Sequence, residues 1–197
     1  MTDTNKTPKE LGQELLKLMK AGGDKNLLSV VDDYIQQGAA LDEKDGDGMS
    51  LLTYCVEGQR YVNSARMSEL DYFPSYMDIA LSLIKSGAPI KDKIAGMNGK
   101  DTTFLHWMLA YPSDFMADYF MKVLKTKPKD LAEIVHLADG NGKTLLDWAK
   151  HCADYAPHSV YATQGLSAKY FKIIQELTIL EKIPAPLKKP KTKPPSL

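Results

Sequence analysis

Apolar residues recur along this chain at helical spacing, in segments punctuated by turn-forming residues. Leu11, Leu15, Leu16, Leu18 and Met19 form one stripe, opened by Thr7-Pro8-Lys9-Glu10 and closed by Ala21-Gly22-Gly23-Asp24. Thr can cap such a helix, Pro suits its first turn and Glu can complete a capping box. Leu27 to Ile35 predicts a second helix packed back on the first, with Gly38 as the left-handed residue that follows such an end. A turn-rich finger, 40–48, comes next. Ser50 to about Glu57 and Tyr76 to Ile84 predict another pair, interrupted by a long connection from Gln59 to Pro74. The finger 89–100 leads to a third pair, Thr103 to Ala110 and Asp114 to Leu124, joined tightly at Tyr111-Pro112-Ser113. Leu131 to Leu137 fits a short helix inside a lengthened finger. A fourth pair, Thr144 to about Ala153 and Ser167 to Glu181, is split by 154–166, too long for an ordinary helix–helix turn.

One segment returns three times with the same polarity pattern. It reads Gly48-Met49-Ser50-Leu51-Leu52-Thr53-Tyr54-Cys55, then Lys100-Asp101-Thr102-Thr103-Phe104-Leu105-His106-Trp107-Met108, then Asp139-Gly140-Asn141-Gly142-Lys143-Thr144-Leu145-Leu146-Asp147-Trp148-Ala149. Recurrence of this kind signals stacked helical units. The second and third copies resemble the ankyrin repeat, whose signature is Thr-Pro-Leu-His-x-Ala after a turn. Thr103-Phe104-Leu105-His106 departs from it only at the proline, and Thr144-Leu145-Leu146-Asp147-Trp148-Ala149 puts Asp at the His position. The first copy has Ser50 for Thr, Thr53 for His and Cys55 for Ala. Gly-Ala after the second helix stands at Gly38-Ala39 and Gly87-Ala88, but Leu124-Lys125-Thr126-Lys127-Pro128 replaces the third.

The resemblance covers roughly residues 7 to 182. It implies an all-α, ankyrin-type solenoid of about four antiparallel helix pairs with turn-rich fingers, lengthened by insertions at 59–74 and 154–166. The Ser or Thr caps the first helix of each unit, while Leu52, Leu105 and Leu146 point into the seams between units. Trp107 and Trp148, at matching places, are expected to be buried there too. His106 is expected to hydrogen-bond nearby backbone and tie one finger to the next.

The domain therefore runs from 7 to 182, between a flexible 1–6 and a Lys/Pro-rich tail, 183–197. Five prolines and four lysines there, without a carboxylate side chain, predict a disordered, extended tail. Twenty-five basic and 25 acidic residues leave the chain formally neutral, so no global field points to nucleic acid or membrane. No apolar run approaches the ~18 residues of a membrane span. Met1 to Lys6 lacks the apolar core of a signal peptide, and Cys55 and Cys152 make no disulfide framework. These features predict a cytoplasmic protein, or one delivered to a host cell by a route independent of a signal peptide.

Several enzyme-like signals fail on chemistry. Gly142-Lys143-Thr144 looks like the end of a phosphate-binding loop, but Leu137 stands where the first glycine must be. Asp42 to Gly48 looks like a calcium loop with broken ligand spacing, and reads as a turn. Asp147 and His151 share a helix face at i, i+4, but Cys152 points elsewhere and cannot serve as a nucleophile beside that base. No catalytic, metal or cofactor residues are assigned.

Function is expected on a presented surface: a non-catalytic protein–protein interaction module, of adaptor, inhibitor or immunity/effector type, acting as a monomer. A solenoid offers a concave face. The ankyrin resemblance puts that face on the finger tips and first helices, here Asp47, Met49 and Glu57; Lys100, Thr102 and Tyr111; Asn141, Lys143 and His151. A mixed set of this kind suits a protein partner better than a phosphate backbone, which wants clustered Lys and Arg. Two alternatives stand beside it. One is an enzyme with its site in the insertions, using Glu69, Asp71, His158 and Ser159. The other is tethering to nucleic acid or a membrane surface by the tail.

Overall fold

The structure is a computed structural model that describes residues 6–22, 25–64, 75–95, 100–128, 130–155 and 165–184. The protein is mostly helical: α1 (Pro8–Ala21), α2 (Leu27–Gln36), α3 (Leu51–Ser64), α4 (Tyr76–Lys85), α5 (Phe104–Ala110), α6 (Asp114–Thr126), α7 (Leu131–Ile134), α8 (Leu145–Tyr155) and α9 (Leu166–Glu181). Two short strands, β1 (Ile94–Ala95) and β2 (Asp101–Thr102), pair antiparallel between α4 and α5.

The helices meet in pairs, α1 with α2, α3 with α4, α5 with α6 and α8 with α9. First helices also meet one another in succession, α1 with α3, α3 with α5 and α5 with α8. Second helices do the same, α2 with α4, α4 with α6 and α6 with α9. The result is two rows of helices with one continuous core running from Leu15 to Leu177. Trp107, Phe104, Phe120 and Tyr170 are its largest fully buried side chains.

Each first helix begins with the same i, i+3 side-chain bond. Ser50 bonds Thr53, Thr103 Oγ1 lies 2.9 Å from His106 Nδ1, and Thr144 Oγ1 donates to Asp147 Oδ2 at 2.9 Å. Thr7 and Glu10 repeat the device at α1, with both halves of a capping box present. The three-copy pattern in the sequence is thus four copies in the fold. Gly12 stands five residues after its Thr, as Cys55 and Ala149 do, and a Cβ there would collide with the Ala40 carbonyl. Thr103 departs from the capping expectation: its hydroxyl pairs with the imidazole and caps no backbone N–H.

Several boundaries differ from the sequence reading. Helix α3 continues past Gly58 to Ser64, so the connection expected from Gln59 starts later. Gly58 carries no side chain because the Tyr76 ring lies against it. Gln59 is buried and Glu57 pairs with Arg60 at 2.6 Å, which sustains the extra turns. Leu146 and Trp148, expected in a seam, are only half-buried, and the Trp148 indole is held instead by Asp139 of the preceding finger. Tyr76 and Leu166, at the edges of the two insertions, are buried. Where a third glycine was missing, Lys127 itself adopts the left-handed conformation (φ 47°) that Gly38 and Gly87 take elsewhere.

Candidate functional site: the fingers and the first-helix row

Two fingers are folded by one carboxylate each. Asp45 Oδ1 accepts the backbone N–H groups of Asp47 and Met49, both at 2.9 Å, while Asp45 N–H donates to the Met49 carbonyl. Asp139 repeats this with Asn141 at 2.8 Å and Lys143 at 3.0 Å. Gly48 and Gly142 close these turns at the same φ of 77°, a backbone region costly for other residues. The second carboxylate oxygen reaches the first helix: Tyr54 donates its hydroxyl to Asp45, and Trp148 donates its indole N–H to Asp139 at 3.0 Å. Tyr54 and Trp148 hold equivalent places, four residues after Ser50 and Thr144. The Trp148 aromatic therefore ties a finger to its helix, a role that packing arguments alone miss. The repeated Asp-Gly-x-Gly-x-Ser/Thr run at 45–50 and 139–144 is the signal that marks it.

These bonds set the acidity of both carboxyls. The Tyr54 hydroxyl, then the Met49 and Asp47 amides and Lys20, hold Asp45 down at about 2 against its burial. At Asp139 burial pushes upward, but the Lys143 amide, the Trp148 indole and Asn141 outweigh it and the carboxyl sits below its ordinary value.

The fingers are also tied to one another. Lys44 pairs with Asp92 at 2.9 Å, and the Gly140 amide donates to the Asp101 carbonyl at 2.7 Å. His106 lies beneath this last contact, 1 % exposed. Its Nε2 finds no close, well-aligned partner, but the Leu137 and Lys143 backbone lies within weak hydrogen-bonding reach of the ring. Burial holds its imidazole below the ordinary value, against the opposing pull of Asp139. His106 thus bonds Thr103 through Nδ1 and interacts more weakly with the backbone of the next finger at Leu137 and Lys143, in keeping with the tie expected from the sequence.

The nine residues proposed from the sequence fall into several environments. Asp47 is exposed and pairs with Lys20 at 3.2 Å; Glu57 is exposed and pairs with Arg60; Lys100 and Asn141 are exposed. Met49 is half-buried against the core. Tyr111 is half-buried with its ring 5.4 Å from that of Trp107. Thr102 is a correction. It is buried, because pairing of Ile94 with Thr102 turns its side chain inward and leaves the neighbouring Asp101 exposed.

Lys143 and His151 come together around an aromatic. The Lys143 ammonium sits 4.5 Å above the Trp148 ring, and the His151 ring meets its edge at 5.8 Å. Trp148, His151 and Tyr155 share one face of α8 at i, i+3 and i+7. They form one wall of a groove of about 250 Å3, with Leu109, Ala110 and Pro112 opposite and Cys152 at its floor. Tyr155, which the sequence reading placed in an insertion, is half exposed here. Cys152 donates its thiol to the Leu109 carbonyl, and burial pushes that thiol up to about 12, so it is held as a neutral packing group away from His151.

A wider recess of about 640 Å3 lies where α2 and α4 end and the fingers begin, edged by Asp42, Asp92 and Asp130. No group of three His, Cys, Asp or Glu side chains among the described residues could hold a metal ion. Among them, too, no helix is long and apolar enough to cross a membrane. Glu69, Asp71, His158, Ser159 and the tail from 185 onward lie outside the described residues. No protein-family model, curated protein or solved structure matches the chain.

Proposed function

We propose that this protein is an ankyrin-type, non-catalytic binder of another protein, and that the partner lies along the fingers and the first-helix row. The observation that carries the reading is the division of labour within each unit. Ser or Thr, its i+3 partner and the finger Asp are consumed by internal bonds, which leaves Lys100, His151 and Tyr155 exposed, the last two beside the half-buried Trp148. Two rows of paired helices joined by hairpin-like fingers are the arrangement that the ankyrin resemblance implies. Aromatic side chains beside a groove, ringed by polar groups, are the usual composition of a protein-binding patch. Glu57 and Asp47 extend the same face toward the start of the stack, where they tune association more than affinity.

Affinity capture from the native cell tests this with matched variants. One carries Lys100→Glu, His151→Glu and Tyr155→Ala; the other carries Lys85→Ala and Lys125→Ala in the second-helix row. A specific partner should be lost at least about tenfold from the first and kept by the second. A partner retained by the finger-side variant, with both proteins folded, removes the reading.

A further inference from the structure

The recess where α2 and α4 end keeps a negative charge that the lysines around it do not cancel. Ile35, Ala39, Leu41 and Pro89 give it an apolar lining, with Asp42, Asp92 and Asp130 at its edge. Gly38 and Gly87, which follow α2 and α4, line it too, so the partially negative carbonyl ends of two helices meet there. Lys44 pairs with Asp92 at 2.9 Å, and Lys91 pairs with Glu133 of α7 at 3.4 Å. Asp42 and Asp130 pair with no cation among the described residues.

Asp130 stands at the start of α7, yet its side chain bonds none of that helix's N–H groups. Its Oδ2, like Oδ2 of Asp92, is enclosed without a hydrogen-bond partner. Native proteins satisfy such oxygens, and a turn about the Cβ–Cγ bond presents either one to a donor in the recess. The fitting donor is an ammonium group on an otherwise apolar segment, with N–H groups for the carboxylates and carbon for the lining.

Residues 185–197 of the chain have that chemistry, with Lys188, Lys189, Lys191 and Lys193, four prolines and no carboxylate side chain. They leave from beside the recess. The Ile183 carbonyl lies 3.0 Å from His136 Nε2, just past the α7 that Asp130 begins. Asp130 is about 9 Å from His136 at a helical rise of about 1.5 Å per residue, and Lys188 reaches about 15 Å from Ile183 along an extended Pro-rich chain. We propose that the segment 186–193 docks in this recess of its own chain, with Lys ammonium groups on Asp42 and Asp130 and with Leu187 and the proline rings on the apolar lining. Tethering favours it over the same sequence on another protein. A short linker holds the segment at millimolar effective concentration, enough to populate a contact too weak to form between separate chains. The recess shares no residue with the groove beside Trp148, so the docking stands apart from the proposed partner face.

Paramagnetic broadening in NMR tests it. Cys55 and Cys152 are buried, so a nitroxide attached to the full chain through Thr192→Cys labels one position. The Gly38 and Gly87 amides, in the recess, should broaden several times more than those of His151 and Tyr155 beside the groove. D42N/D130N should cut that broadening severalfold, and so should about 1 M NaCl, where charges are screened beyond about 3 Å. Asn suits the start of α7 as Asp does, and thermal melting confirms that the variant is folded; the salt arm needs no change in the recess. A second sample mixes isotope-labelled wild type with unlabelled chain bearing the nitroxide, and should show no broadening. Broadening that is absent, uniform over the surface or centred on His151 and Tyr155 overturns the proposal. So does broadening unchanged by D42N/D130N or by salt, or equal in the mixed sample, which would put the segment on another copy.

Discussion

Gly58 stands in the middle of α3, where an exposed helix would gain about 1 kcal/mol from replacing Gly with Ala. Here the reverse is expected. A Cβ on Gly58 would lie well inside van der Waals contact with the Cδ1, Cε1 and Cζ carbons of Tyr76. That ring cannot retreat freely. It is 4 % exposed, begins α4, and its hydroxyl would lie 3.2 Å from a Cβ on Gly22 at the end of α1. Moving a trapped ring by about an ångström belongs with overpacking, at about 1–3 kcal/mol. Against the propensity gain of about 1 kcal/mol, Gly58→Ala should destabilise by up to about 2 kcal/mol, or a few degrees of melting temperature at this size. Urea unfolding followed by circular dichroism measures the difference. In a Tyr76→Ala background the obstacle is gone, so the same Gly58→Ala change should become stabilising by several tenths of a kcal/mol. A single variant more stable than the wild type, or a Gly58→Ala change no more favourable in the second background than in the first, refutes the reasoning.

Lys127→Gly should stabilise the protein by about 0.5–1 kcal/mol, because relief of the left-handed backbone exceeds glycine's greater unfolded-state entropy; equal or lower stability in denaturant titration would count against the strain. Asp45 should lose its contribution to stability on acidification. Its folded carboxyl is held at about 2, below the unfolded value. The contribution is therefore complete above the unfolded pKa of about 4 and disappears as pH falls through about 2. Melting curves of wild type and Asp45→Ala should converge across that window, and a gap unchanged at its acid end would refute the assignment. Tyr54→Phe removes the largest of the bonds holding that carboxyl, so carbon-detected NMR titration should place Asp45 higher than in the wild type.

The sequence alone determined that this chain is helical, where most of its helices lie and where they turn back. Stripes such as Leu11-Leu15-Leu16-Met19, the Thr7 cap and the glycines at 38 and 87 act within a few residues of themselves, so local reading recovers them. The repeated Thr/Ser and i+3 pair was legible for the same reason, and with it the buried Leu52, Leu105 and Trp107. Tertiary structure decided what depends on contacts distant in the chain. It carried α3 past Gly58, because Tyr76 from the next helix fills the space a side chain would take. It buried Thr102, because the register with Ile94 chose which of two adjacent residues faces inward. It drew Trp148 out of the expected seam, because Asp139 of the preceding finger accepts its indole N–H. It left Phe171 and Ile179 in solvent, because α6 and α8 take up the opposite face of α9. Periodicity tells a helix how to fold, but the neighbour's position decides which of its faces is left over for function.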